Sequence, residues 1–244
     1  MRLVRSGPLV GMFAQLTVLA AVGAAVGIGA VAWFTGVAYA LVTAILLQHG
    51  LSSSGLKGYG PADWVTAGRT TLIGVVAALV VDSLEHRPAV GAIVGLVVVA
   101  LLLDGVDGQV ARRTGTTSTF GARFDMEADS FLVLVLSLYV AGSAGWWVLA
   151  IGGMRYAFLL GIWSTPWMQG TLPPRYWRKV VAATQGVALV TATAGLLPFR
   201  ANVVLLLIAL ALLLESFGRD VVWLWRDGHP ATRTRVIGRL LTRE

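Results

Sequence analysis

The sequence predicts an all-α integral membrane protein, with a six-helix core preceded by two N-terminal transmembrane helices. Three observations carry that prediction. Of the 244 residues, 57% are apolar and only 13% charged, and the mean hydropathy is +0.78, far from the balance of a water-soluble domain. The apolar residues lie in runs of about 18 to 20, the length that crosses a hydrocarbon layer, with short polar turns between them. On an eight-span reading the basic residues also fall almost wholly on one side. Arg2, Arg5, Lys57, Arg112, Arg113, Arg123, Arg175, Arg178, Lys179 and the arginines after Trp225 share that side, against Arg87 and Arg200 on the other, which marks the first side as cytoplasmic.

Residues 1–50 form the N-terminal transmembrane pair, turning between Gly27 and Gly36. The apolar run is too long for the core of a cleaved signal peptide. The Gly/Ser/Pro-rich stretch that follows sets a linker at 51–61. The core, 62–226, divides into spans at about 63–81, 89–103, 125–140, 145–164, 180–197 and 203–225. Trp223 and Trp225 mark an interface, and the basic tail 227–244 is expected to lie on an anionic leaflet. The net charge of +7 thus reads as topology signal and anionic-lipid contact. A nucleic-acid partner is not expected, because no basic, aromatic-interleaved soluble module is present. Zero cysteines exclude disulfides and thiolate metal sites.

Charges inside apolar sequence need a partner or a ligand. Arg69 lies about two turns inside the first core span. Glu215 and Arg219 in the last are spaced for an i, i+4 pair. Arg155, in the fourth, is either a ligand for an anionic acceptor or a partner of Glu215.

The most informative stretch is DGVDGQVARRTGTTSTFGARFDMEAD, Asp104 to Asp129. Asp104, Asp107, Gly108, Ala111 and Arg112 fall at i, i+3, i+4, i+7 and i+8, so at a helix end they share one face. Gly121, Asp125 and Asp129 repeat this at i, i+4 and i+8 on the next helix. Two helices joined by a Thr/Ser/Gly loop can therefore aim four carboxylates at one point. Oxygen-only ligands in that number suit a hard divalent cation, Mg²⁺ or Mn²⁺.

This stretch resembles the signature of the CDP-alcohol phosphatidyltransferase family, D-x2-D-G-x2-A-R-x8-G-x3-D-x3-D, and meets it at all eight specified positions. The start of the first core span, DWVTAGR, is similar to the family's opening N-x-I/V-T-x2-R, with Thr66 and Arg69 matching and Asp63 standing where asparagine is usual. The resemblance implies transfer of a phosphoalcohol, usually phosphatidyl from CDP-diacylglycerol, to a hydroxyl acceptor with release of CMP. It further implies two divalent cations on Asp104, Asp107, Asp125 and Asp129, with Asp129 as catalytic base. Gly108, Ala111, Arg112, Gly121, Thr66 and Arg69 would meet the nucleotide and its phosphates, and the protein would be a homodimer in a bacterial-type cytoplasmic membrane. Small residues at 108, 111 and 121 admit a nucleotide close to the backbone, and Arg112 can grip phosphate bidentately. The acceptor stays open among glycerol phosphate, inositol phosphate, serine and another phosphatidyl lipid.

Two other classes fit the sequence less well. An intramembrane prenyltransferase also places aspartates and Mg²⁺ on helices, but with its acidic motifs in distant halves of the chain. A cation transporter has no need of Gly108, Ala111, Arg112 and Gly121 at these spacings.

Overall fold

The computed structural model describes the backbone of residues 7–53, 61–114, 119–170, 172–173 and 175–228, with side chains except at 51–53, 61–64, 106–114, 119–120 and 227–228. The described residues fold into eight α-helices: α1 (Gly7–Val26), α2 (Ala30–Ser53), α3 (Pro61–Asp82), α4 (Val90–Thr114), α5 (Thr119–Ala144), α6 (Leu149–Ser164), α7 (Tyr176–Thr193) and α8 (Phe199–Gly228). Short 3-10 turns at Trp146–Val148 and Pro166–Gln169 flank α6. The all-α expectation holds, with each helix close to its expected place.

Local chemistry sets the ends. Gly27, at φ 74°, closes α1 by donating its N–H to the Gly23 carbonyl at 2.8 Å, a left-handed cap that glycine adopts without steric cost. The N-terminal pair therefore turns at 27–29, at the start of the expected window. At the end of α7, Gly195 has φ 63°. The N–H groups of Gly195 and Leu196 return to the carbonyls of Ala192 and Thr191, a Schellman ending sealed by Pro198 beyond it.

Among the described residues, five helices are long and apolar enough to cross a membrane: Gly7–Val26, Ala30–Gly50, Val65–Asp82, Trp146–Ser164 and Phe199–Arg226. This is a multi-pass membrane protein. Among the described residues α4 contributes a shorter apolar helix, Val90–Gly105. The start of α5 carries Arg123, Asp125, Glu127 and Asp129, and α7 carries Arg178 and Lys179, so neither reaches the apolarity of the five. Residues 54–60 of the expected linker and 229–244 of the expected tail lie outside the described residues.

Helix α3 is the hub. It packs on α1 and α2 on one side and on α4 and α5 on the other. The core runs along it through Ile73, Val76 and Val80, joined by Ile93 and Val97 of α4 and Leu132 and Leu136 of α5. The second half closes as α5 on α6 and α7, and α7 on α8. Buried Thr71 and Ser137 donate back to carbonyls of their own helices, and Gln185 of α7 donates across to the Ala209 carbonyl of α8 at 2.9 Å. That is how polar groups are tolerated where water is scarce. The outer surface is apolar, with Phe34, Ile45, Leu160 and Trp163 exposed, as lipid-facing positions should be.

Candidate metal centre

Arg69 comes first in building the site, because it is the largest fully buried side chain, 1% exposed. Helix α3 carries it just before the core run that starts at Ile73, on a side of the helix covered by α4 and α5. An arginine so placed needs anionic partners, and three aspartates supply them. Its two terminal nitrogens pair with Asp104 of α4 and with Asp125 of α5. Nη2 also lies 3.3 Å from Asp129 Oδ1 and donates to the Asp125 carbonyl oxygen at 3.3 Å.

Ligand oxygens of Asp104, Asp125 and Asp129 all lie within 4.8 Å of one another. The i, i+4 spacing puts Asp125 and Asp129 on one face of α5, and α4 brings Asp104 to the same point from its far end. Three of the four aspartates expected to converge do so. Asp104 and Asp129 keep 44% of their side-chain surface and Asp125 keeps 33%, so the buried arginine lies beneath an acidic surface that solutes can reach. The fourth, Asp107, lies on α4 with its side chain outside the described residues, as do Gly108, Ala111 and Arg112. Gly121 and Thr66 are half-buried, on α5 and α3.

Three carboxylates against one guanidinium leave an excess of negative charge in oxygen donors. That donor set fits a hard divalent cation, and an arginine already held among the carboxylates shows that a positive charge is favoured there.

Arg155 does not pair with Glu215, which corrects one of its two expected roles. Its Nη2 meets Glu127 Oε1, and its Nε donates to Glu127 Oε2 at 3.4 Å, tying α6 to α5. Glu215 is instead engaged by Arg219, the i, i+4 pair read from the spacing, and by Trp177 Nε1 at 2.9 Å. Helix α8 does pack on α6, with Phe158 and Phe217 edge to face at 5.1 Å, but Arg155 is turned to α5 and Glu215 to Trp177 of α7. Sequence reasoning passed over Glu127 because it lies between Asp125 and Asp129 and off their face. Its one available signal was a carboxylate left over from the motif in otherwise apolar sequence. Asp220, also passed over, lies 2.8 Å from Arg178 and 4.0 Å from Arg175, joining α8 to the start of α7.

The fold is a multi-pass helical bundle in which two helices bring together a carboxylate cluster with the donor set of a divalent-cation site. The chain belongs to the CDP-alcohol phosphatidyltransferase family, whose profile matches residues 60–215. It is similar to the CDP-diacylglycerol–serine O-phosphatidyltransferase of Helicobacter pylori, 65% identical over 34 residues that cover 14% of each chain. It is also similar to the Mycobacterium tuberculosis protein of the same name, 31% identical over 112 residues, 42% of this chain and 38% of that one. The human ethanolaminephosphotransferase 1 is 38% identical over 91 residues, 33% of this chain and 23% of that one. The chain thus spans well under half the length of the curated relatives it matches. No solved structure matches it.

Proposed function

We propose that this protein transfers a phosphoalcohol group from a CDP-alcohol, CDP-diacylglycerol before others, to a hydroxyl acceptor, releasing CMP. The observation that carries this is the convergence of Asp104, Asp125 and Asp129 on buried Arg69, from the motif on which the family resemblance rests. Asp104, Asp107, Asp125 and Asp129 would hold two Mg²⁺ or Mn²⁺ ions, which when bound supply neutralisation of the pyrophosphate and stabilisation of charge on the attacking and leaving oxygens.

The chain's own residues divide the remaining work. Gly108, Ala111 and Gly121 leave room for the nucleotide, while Arg112 and Thr66 meet its phosphates. Arg69 keeps the carboxylates together from below. Asp129, one turn deeper than Asp125, takes the proton of the acceptor hydroxyl as that oxygen bonds to the phosphorus bearing the alcohol, and the bond to CMP breaks. Acyl chains of the donor stay in the bilayer while its headgroup enters the polar end of the bundle. The bias of basic residues puts that end at the cytoplasmic face, and the tail would add contacts to anionic lipids. Arg155 would reach an acceptor anion only by leaving Glu127. A division into a pair at 1–50 and a core at 62–226, and assembly as a homodimer, complete this reading.

CMP release from CDP-diacylglycerol by the purified protein, with mass-labelled acceptors supplied one at a time, tests it. Serine comes first, since the bacterial relatives carry it in their names. CMP release dependent on one acceptor supports the proposal. Consumption of a prenyl diphosphate, or cation flux without CMP release, would replace it with one of the other two classes.

A further inference from the structure

The matched family region begins at residue 60, so α1 and α2 lie outside it, and nothing above gives them a task. Their packing does. Helix α3 has two working faces. Ala67, Thr70 and Thr71 face Gln15 of α1 and Ala40 and Thr43 of α2 across a narrow crevice, whereas Arg69 points away into the aspartate cluster. At 100° per residue the two faces are roughly 100° to 160° apart. Whatever fixes the rotation of α3 on the first face therefore aims Arg69 on the second.

Two contacts fix it. At Gly74 a side chain would collide with the Gln15 amide and would come within 2.5 Å of Tyr39 Cδ1, so α1 and α2 press directly on the α3 backbone. Neither neighbour is free to yield. Gln15 is buried and donates to the Gly36 carbonyl at 3.1 Å, and the Tyr39 ring is stacked on Phe131 of α5, centroids 5.2 Å apart. Thirteen residues beyond Arg69, about 20 Å along the helix, buried Asp82 accepts the Gly29 N–H at 2.8 Å and faces His86 Nδ1 at 3.2 Å. A side chain on Gly29 would meet His86 Cε1 at 2.7 Å. The N-terminal pair thus holds α3 at two levels. Through Tyr39 it also reaches α5 only two residues past Asp129.

We infer that the N-terminal helix pair is a positioning element of the catalytic centre: it sets the rotation of α3 and, through the Tyr39–Phe131 stack, the placement of α5, so that Arg69, Asp125 and Asp129 stay in register. The inference rests on the cluster being the cation site proposed above. Tyr39 touches none of the reacting atoms; it acts through α3 and α5.

The test uses the full-length protein in detergent or nanodiscs, with Tyr39→Ala and Tyr39→Phe, and with Phe34→Ala as a control, since Phe34 is on the same helix and 75% exposed. Mn²⁺ affinity is read by electron paramagnetic resonance of the free ion. Amide exchange over residues 66–72 and 123–131 is read separately in metal-free protein. Tyr39→Ala should bind Mn²⁺ at least about tenfold more weakly, the scale seen when supporting contacts of metal ligands are lost, and should exchange faster over both segments. Tyr39→Phe and Phe34→Ala should match wild type. Should Tyr39→Ala fail to fold, Gly29→Ala and Gly29→Ala/His86→Ala take its place: the first should weaken Mn²⁺ binding, and the second should recover it. Wild-type Mn²⁺ affinity and exchange in Tyr39→Ala, or in Gly29→Ala, would overturn the inference and leave the cation site standing. Absence of Mn²⁺ binding in wild type would overturn the cation site, and the metal-free exchange would still decide the role of the helix pair.

Discussion

The two halves of the core balance charge differently. In α3–α5 one arginine serves three aspartates. In α5–α8 arginine matches or exceeds carboxylate: Arg155 with Glu127, Arg219 with Glu215, and both Arg178 and Arg175 at Asp220. The chemical groups are the same and the stoichiometry is not. A balanced pair neutralises itself and ties two helices together. A cluster with surplus carboxylates leaves a negative potential in a region of lowered dielectric, where it draws and holds a cation. Charged residues in this bundle therefore divide by local balance into those that support chemistry and those that support architecture.

Removing the cations should have the largest effect. Excess EDTA should bring CMP release to background, with Mn²⁺ or Mg²⁺ restoring it, and Asp104→Asn should reproduce the loss in the presence of metal. Full turnover in EDTA would erase the distinction between the halves. Next comes Asp129→Asn, expected to lower kcat by about 10²-fold or more, the scale of general-base catalysis, with a much smaller fall in CDP-diacylglycerol affinity. A parallel collapse of donor affinity would instead make Asp129 chiefly a metal ligand.

Arg69→Gln sharpens the comparison from the other side. It keeps a polar side chain, though a shorter one, while leaving three carboxylates without their cation. Breaking a buried pair costs about 3–5 kcal/mol, and the partial exposure of these aspartates places the loss toward the lower end. It is expected as a lower Tm in EDTA, with Mn²⁺ giving a larger rescue than in wild type. An unchanged Tm with weaker donor binding would make Arg69 a ligand for the donor alone. The smallest effect belongs to the balanced pairs. Glu127→Gln or Arg155→Gln removes a partly exposed pair and should cost under about 1 kcal/mol, leaving kcat close to wild type. A loss comparable to that of Asp129→Asn would move Arg155 into the catalytic half.

Helix positions, a turn between Gly27 and Gly36 and the face shared by Asp125 and Asp129 were legible in the sequence, because apolar run length and the helical period are local properties of the chain. The Glu215–Arg219 pair was legible for the same reason, being one turn apart. What the tertiary structure alone decided was which faces meet. Arg69 lies 35 positions from Asp104 and 56 from Asp125, and Glu127 lies 28 from Arg155. Gly29 lies 53 from Asp82. The period of a helix says which residues share a side but not how the helix is rotated against its neighbours. That rotation is settled by close packing, and here by the contact of Gln15 and Tyr39 at Gly74, where the absence of one Cβ lets α1 and α2 reach the α3 backbone.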